Sequence, residues 1–232
     1  MASRPRVPLL LEGEPFPDPS RASAEGLVAV GGSMTVERLL EAYRAGIFPW
    51  THAPVTWWSP DPRAIFPLGE SHIPRSLKKV LNAKLFSVTL DRAFEQVMRA
   101  CAAAAPGRSS TWITQEFIDA YTRLHSEGHA HSLECWQQDE LVGGIYGVSI
   151  GGFFAGESMF HRVSNASKIA LVELARHLHA RDFLLFDIQM LTPVTTQLGG
   201  QEISRDEYLR RLKNATEADC SFCDAPRCPV TA

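Results

Sequence analysis

At 232 residues, 45% of them hydrophobic, and with a formal net charge of −3, the chain is large enough for one domain, or for one domain and a smaller one, each with its own core. A weakly acidic chain does not attract polyanions as a whole, so contact with nucleic acid would require a local basic patch. The proline-rich start has no signal-peptide core and no apolar run approaches the ~18 residues of a membrane span, so a cytoplasmic protein with no membrane association is expected.

Residues 1 to 34 carry Pro5, Pro8, Pro15, Pro17 and Pro19 and then Gly26, Gly31 and Gly32, which predicts irregular backbone with short strands. A helix follows, capped by Thr35, with Glu37 in its first turn, Leu39, Leu40 and Tyr43 at helical spacing, and Gly46 at its end. Ile47-Phe48-Pro49-Trp50 and Trp57-Trp58-Ser59-Pro60-Asp61-Pro62 predict a rigid loop without regular ladders, its aromatics forming a small core or a stacking platform. The pattern changes near Pro67 to Ser71. This divides the chain into a small N-terminal domain (1–68), a second domain (69–213) and a tail (214–232) expected to be mobile.

A short basic helix from Pro74 to Leu81 places Arg75, Lys78 and Lys79 on one side, with Lys84 just beyond. A helix from Asp91 to Ala104 and a break at Pro106-Gly107 come next, then a helix over 114–127 with Thr114 as its cap and Gly128 at its end. From His131 the period becomes two. Ser132 to Gln137, Leu141 to Ile150 and Phe153 to Met159, joined at Gln138-Asp139 and Gly151-Gly152, read as an antiparallel meander. Residues 165–180 form an amphipathic helix with Ile169, Val172 and Leu178 inward, and Phe183 to Ile188 a buried strand. Thr192-Pro193 opens a short helix ending at Gly199-Gly200, and Ser204 opens the last, through Leu212.

Two places carry chemistry. Gly156-Glu157-Ser158-Met159-Phe160 and Phe186-Asp187-Ile188-Gln189 set carboxylates in apolar strands, where an ionised group needs a partner or a shifted pKa. Asp187 and Gln189, two apart in a strand, are expected on one face and within hydrogen-bonding reach of each other. The first motif superficially matches a nucleophile elbow but has Phe160 where that elbow needs glycine. Eight histidines show no metal spacing. The tail trio Cys220, Cys223 and Cys228 has no fourth Cys or His nearby, which favours reduced thiols over a zinc knuckle.

The meander, helix and strand follow the order of the acyltransferase fold that binds acetyl-CoA. The turn Phe160-His161-Arg162-Val163-Ser164-Asn165 lacks the glycines that would hold a pyrophosphate.

Gly31-Gly32, Ala42 to Trp50, Trp57 to Arg63, Thr111 to Thr114, Gly128 to Ser132, Leu141 to Gly144, Gly156 to Phe160 and Asp187-Ile188-Gln189 together resemble the bacterial leucyl/phenylalanyl-tRNA-protein transferases. The likeness runs in order from about residue 9 to 212, departing at Ser33, where the family usually has Asp, and in the cysteine-bearing tail. It implies an α+β fold in which a small N-terminal domain joins a GNAT-like sheet flanked by helices, without CoA, cofactor or metal. It implies transfer of Leu or Phe, and less readily Met, from aminoacyl-tRNA to an N-terminal Arg or Lys, marking the product for N-degron degradation. Asp187 would orient Gln189 at the attacking amine, and Glu157 would hold the donor's α-ammonium. Ile145, Met159, Leu174, Leu178 and Phe186 would line the aminoacyl pocket; Tyr43, Trp50, Trp112 and Tyr121 would cradle the terminal adenosine; and Arg75, Lys78, Lys79 and Lys84 would contact phosphates. A CoA-dependent N-acetyltransferase shares the fold order. A non-catalytic tRNA-binding module would use the tryptophans and the basic helix but would leave Glu157, Asp187 and Gln189 unexplained.

Overall fold

The computed structural model describes residues 7–23, 25–69, 73–104 and 111–223, which form a mixed α+β structure with two sheets. The smaller has the order β1 (Leu9–Leu10), β2 (Leu27–Gly31), β4 (Val55–Trp58), β3 (Phe48–His52), and α1 (Val36–Arg44) joins β2 to β3. The Thr35 hydroxyl accepts from the Arg38 N–H at 3.3 Å, satisfying one donor the helix itself cannot use. In place of the loop expected around the tryptophans, β3 and β4 form a hairpin. Pro49 is accommodated because β3 is an edge strand, the position in a sheet that tolerates proline. Trp57 is fully buried and its Nε1 donates to the Gly31 carbonyl at 2.8 Å.

The larger sheet has the order β11 (Gln201–Ile203), β5 (Arg63–Phe66), β10 (Leu185–Gln189), β9 (Phe153–His161), β8 (Glu140–Ile150), β7 (Ala130–Gln137), β6 (Ser87–Leu90). Only β9 and β10 run parallel. The expected meander is β7-β8-β9. Gln138 and Asp139 have φ of 50° and 64°, the backbone of a two-residue hairpin turn that matches strand twist. At the other turn Gly151 has φ 56°, and a Cβ there would lie 2.8 Å from the carbonyl oxygens of Thr216 and Ala218, so only glycine lets the turn sit against the chain's last helical segment.

The remaining helices are α2 (Arg75–Asn82), α3 (Phe94–Ala102), α4 (Gln115–Ser126), α5 (Ala166–Ala180), α6 (Pro193–Gln197) and α7 (Arg205–Thr216). Helix α3 starts three residues later than the sequence suggests. Asp91 adopts φ 55° and turns its carboxylate onto the Ser132 N–H and the His131 imidazole, each at 2.8 Å, instead of opening a helix. Thr114 occupies the cap position of α4 without a capping bond; its hydroxyl lies 3.3 Å from His52 Nδ1. Helix α5 buries Ile169, Val172 and Leu178 as its periodicity requires.

Strand β5 precedes the sequence-based boundary at residue 68, yet it is an inner strand of the larger sheet. Buried residues of α1, β3 and β4 also share one apolar cluster with α3, α4 and α7. As far as Cys223 the tail is packed rather than loose: the Phe222 ring is buried and stacks on His131 at 4.1 Å and Phe154 at 5.6 Å. Cys228 lies outside the described residues. Among those described, no helix is long and apolar enough to cross a membrane.

Candidate active site

The site lies where β9 and β10 separate. Their parallel pairing runs Leu185–Phe153, Phe186–Phe154, Asp187–Ala155, and beyond it the two strands meet through side chains. Gln189 Nε2 donates to Glu157 Oε1 at 3.1 Å. The expected bond between the side chains of Asp187 and Gln189 does not form. Gln189 has φ 54° and the β10–β5 register slips between Asp187 and Gln189, so the period-two geometry breaks at this point. Asp187 Oδ1 accepts instead from the backbone N–H of Gln189, at 2.9 Å, and the carboxamide turns to the neighbouring strand.

Asp187 is fully buried, and its partner is Arg63 on β5, also fully buried. Arg63 Nε and Nη2 donate to the two carboxylate oxygens at 2.9 and 2.7 Å, a bidentate geometry that suits a desolvated pair. Tyr208 on α7 donates to Oδ2 at 2.9 Å, and Arg63 Nη1 donates to the Gly46 carbonyl at 3.2 Å. The guanidinium also lies over the rings of Phe48 and Tyr208, 4.8 and 4.4 Å from their centroids. Asp187 thus receives four hydrogen bonds and a full compensating charge. Every bond to this carboxylate comes from within the fold, and one of them fixes the Gln189 backbone N–H.

Glu157 is the opposite case. Burial pushes its carboxyl up to about 8, and the Asp187 charge adds to the rise, while hydrogen bonding from Tyr43 and Tyr121 and the Arg63 charge pull it down. Tyr121 OH lies 3.5 Å from Oε2, and the Tyr43 hydroxyl makes a short hydrogen bond to that of Tyr121. Tyr43 and Tyr121 are 1% and 0% exposed. They back the Glu157 carboxylate, with their hydroxyls rather than their ring faces turned to the site.

Trp50 and Trp112 are partly buried at the edge of the same cluster, Trp50 edge-on to Trp58 at 5.4 Å and Trp112 edge-on to Phe117 at 5.1 Å. Ile145, Leu174, Leu178 and Phe186 come together in a second apolar cluster with Met159 at its margin; Ile145 pairs with Met159 across β8 and β9. Arg75, Lys78 and Lys79 are exposed on α2, and Lys84 beyond it has φ 48°. Lys78 and Lys84 line a groove with Ile169, Glu173 and Arg176 of α5. Sequence reasoning gave no role to Arg63 or Tyr208. Arg63 closes the Trp57 to Arg63 motif and so was visible, but Tyr208, 145 residues further along, has no local signal.

The profile described as leucyl/phenylalanyl-tRNA protein transferase matches residues 65–213, and that of the family's N-terminal domain matches residues 32–61. A leucyl/phenylalanyl-tRNA–protein transferase of Shewanella pealeana is 47% identical over 220 residues, 93% of each chain. Those of Nitratidesulfovibrio vulgaris and Tolumonas auensis are 50% and 49% identical over 204 and 206 residues, spanning 87% of this chain and 87% and 88% of theirs. A solved chain titled "The structure of L-PGS from Bacillus licheniformis" superposes at a TM-score of 0.41, with 12% identity, over 72% of this chain and 54% of that one, too distant a likeness to assign the fold. The resemblance carried by the motifs therefore holds, and the chain belongs to the leucyl/phenylalanyl-tRNA–protein transferase family of aminoacyltransferases.

Proposed function

We propose that this protein transfers Leu or Phe, and less readily Met, from aminoacyl-tRNA to the N-terminal Arg or Lys of acceptor proteins in the cytoplasm, marking them for N-degron degradation. The observation that carries the reading is the Glu157–Gln189 contact at the parting of β9 and β10, braced from behind by Arg63, Asp187 and Tyr208. The strands that part beside a helix packed on the sheet, with no glycine-rich turn before α5, support a GNAT-like core that uses no CoA, joined to a small N-terminal domain.

An aminoacyl ester is already activated, so the enzyme's work is orientation, proton handling and charge stabilisation. The Gln189 carboxamide nitrogen is engaged by Glu157, while its oxygen accepts no hydrogen bond among the described residues and is available to an incoming α-amine. The amine attacks the ester carbonyl, the C–N bond forms, the C–O bond to the ribose breaks, and the amine proton passes to the leaving ribose oxygen. Asp187 acts one step back, holding the Gln189 N–H and hence the direction of the carboxamide. Glu157 takes the donor's α-ammonium, which needs its carboxylate form. Ile145, Met159, Leu174, Leu178 and Phe186 supply an apolar pocket that flexible Leu and Met enter more easily than β-branched residues, a discrimination of about 1–3 kcal/mol per misplaced methyl group. Trp50 and Trp112, with Tyr43 and Tyr121 behind them, would cradle the terminal adenosine, and Arg75, Lys78, Lys79 and Lys84 would contact phosphates.

The test is incubation of the purified protein with radiolabelled Leu-tRNA and a peptide beginning with Arg, or the same peptide with that Arg acetylated, without ATP or CoA. Label on the free-amine peptide alone is the expected result. Binding of tRNA without transfer to either peptide would reject the reading in favour of a tRNA-binding module.

A further inference from the structure

Away from this site, Asp91, His131 and Cys223 each present a donor atom, and the three atoms lie within 4.8 Å of one another. They come from three separate places: the turn between β6 and α3, the start of β7, and the packed tail. Asp91 Oδ2 is 2.8 Å from His131 Nδ1 and 3.7 Å from Cys223 Sγ. A carboxylate oxygen, an imidazole nitrogen and a thiolate sulfur bound to one tetrahedral ion sit about 3–4 Å apart, given metal–ligand lengths of about 2.0–2.3 Å, so the cluster needs only a small opening to take one.

The surroundings are already arranged as a metal site requires. The Asp91 side chain is 3% exposed and that of His131 11%. Asp91 Oδ1 accepts from the Ser132 N–H at 2.8 Å, which fixes the carboxylate while Oδ2 faces the other two donors. The His131 ring is held flat against Phe222, at 4.1 Å and 13°, and the Phe222 carbonyl is bonded to His177 Nε2 at 2.8 Å, so the residue before Cys223 is anchored on both sides. The left-handed backbone at Asp91, φ 55°, aims the carboxylate here instead of capping α3.

We infer that Asp91, His131 and Cys223 bind one divalent transition-metal ion of the zinc class, with a fourth donor from solvent, and that the ion pins the C-terminal tail to the β6–β7 edge of the larger sheet. The mixed oxygen, nitrogen and sulfur donor set suits zinc and cobalt and is wrong for magnesium or calcium. On binding, the Cys223 thiol gives up its proton and His131 carries its proton on Nε2. The ion is a staple, not a participant in acyl transfer.

The full-length protein, stripped with a chelator and dialysed under reducing conditions, is titrated with Co²⁺ while the thiolate-to-metal charge-transfer band and the hydrogen exchange of the Phe222 region are followed. One equivalent should bind, the band should appear, and exchange at Phe222 should slow. Cys223→Ser should abolish the band, and His131→Gln should raise the Co²⁺ Kd about 100-fold or more, while the double variant Cys220→Ser/Cys228→Ser keeps both band and affinity. No stoichiometric binding overturns the assignment. So does a band that survives in Cys223→Ser, or one that is lost in the Cys220/Cys228 double variant and kept in His131→Gln, which would place the metal in a knuckle of the tail alone.

Discussion

Removing the guanidinium at position 63 leaves Asp187 as an uncompensated charge in a fully buried position. Arg63→Ala should therefore cost about 3–5 kcal/mol of stability, read as a lowered denaturant midpoint with an unchanged slope. The double variant Arg63→Met/Asp187→Leu should recover much of that stability and none of the transfer, because it restores packing without restoring the hold on the Gln189 N–H. Recovery of transfer would mean that Asp187 is structural only. Gln189→Ala, which leaves the ion pair intact, should lower kcat about 100-fold with little change in melting temperature. Glu157 gives a dependence on pH whose sign is set by its raised carboxyl. The unfolded chain ionises this group from its ordinary value of 4.5 and the folded one only near 8, so the destabilisation is absent at acidic pH, grows between those two values and is complete above the higher one. Glu157→Gln should accordingly melt about 2–6 °C above the wild type at pH 9, match it near pH 4, and transfer poorly at both.

At the scale of elements, α2 presents Arg75, Lys78 and Lys79 to solvent with only Leu77 buried, so its surface can be changed without touching the core. Lys78→Glu/Lys79→Glu should leave melting unchanged, weaken tRNA binding, and reduce the slope of log K against log salt by about 1.5–2. An unaltered slope would make the helix an ordinary solvated face. Trp112→Ala should raise the donor KM about tenfold, within the 1–3 kcal/mol that a stacked base contributes, and more than it lowers stability. The elements were mostly legible where turn chemistry is local. Gln138, Asp139 and Gly151 mark the meander because their backbones take positive φ, and Thr35, Thr192 and Ser204 mark helix starts because their hydroxyls do make the capping bonds. Legibility failed where a side chain serves a distant partner. Asp91 looks like a helix start and is bonded to residues about forty positions away, and Pro49 looks like a strand breaker until β3 is known to be an edge.

For the whole molecule the site was half legible. Glu157, Asp187 and Gln189 stand out as polar groups in apolar strands, and the structure brings them together, but the left-handed backbone at Gln189 that exchanges their expected partners has no sequence signal. The Arg63–Asp187 bond joins residues 124 positions apart, a pairing that no periodicity encodes. The packed tail makes a further prediction. Ending the chain at Thr216 uncovers the aromatic faces of His131, Phe154 and His177 that Phe222 covers, which should cost about 1.5–3 kcal/mol and lower the melting temperature by about 3–10 °C while leaving Glu157 and Gln189 in place. Equal stability of the shortened chain would show that Phe222 adds nothing to the fold.

Strand β5 sits between β10 and β11, both made from chain more than a hundred residues further on. During synthesis residues 63–66 leave the ribosome long before either neighbour exists, and until then β5 has two open edges and Arg63 lacks its counter-ion. Its pairing is slow, long-range and exposed to wrong partners in the interval. The Tyr208 hydroxyl that completes the brace arrives only with the final helix. A chain still on the ribosome therefore lacks the Arg63–Asp187–Tyr208 brace until α7 has emerged.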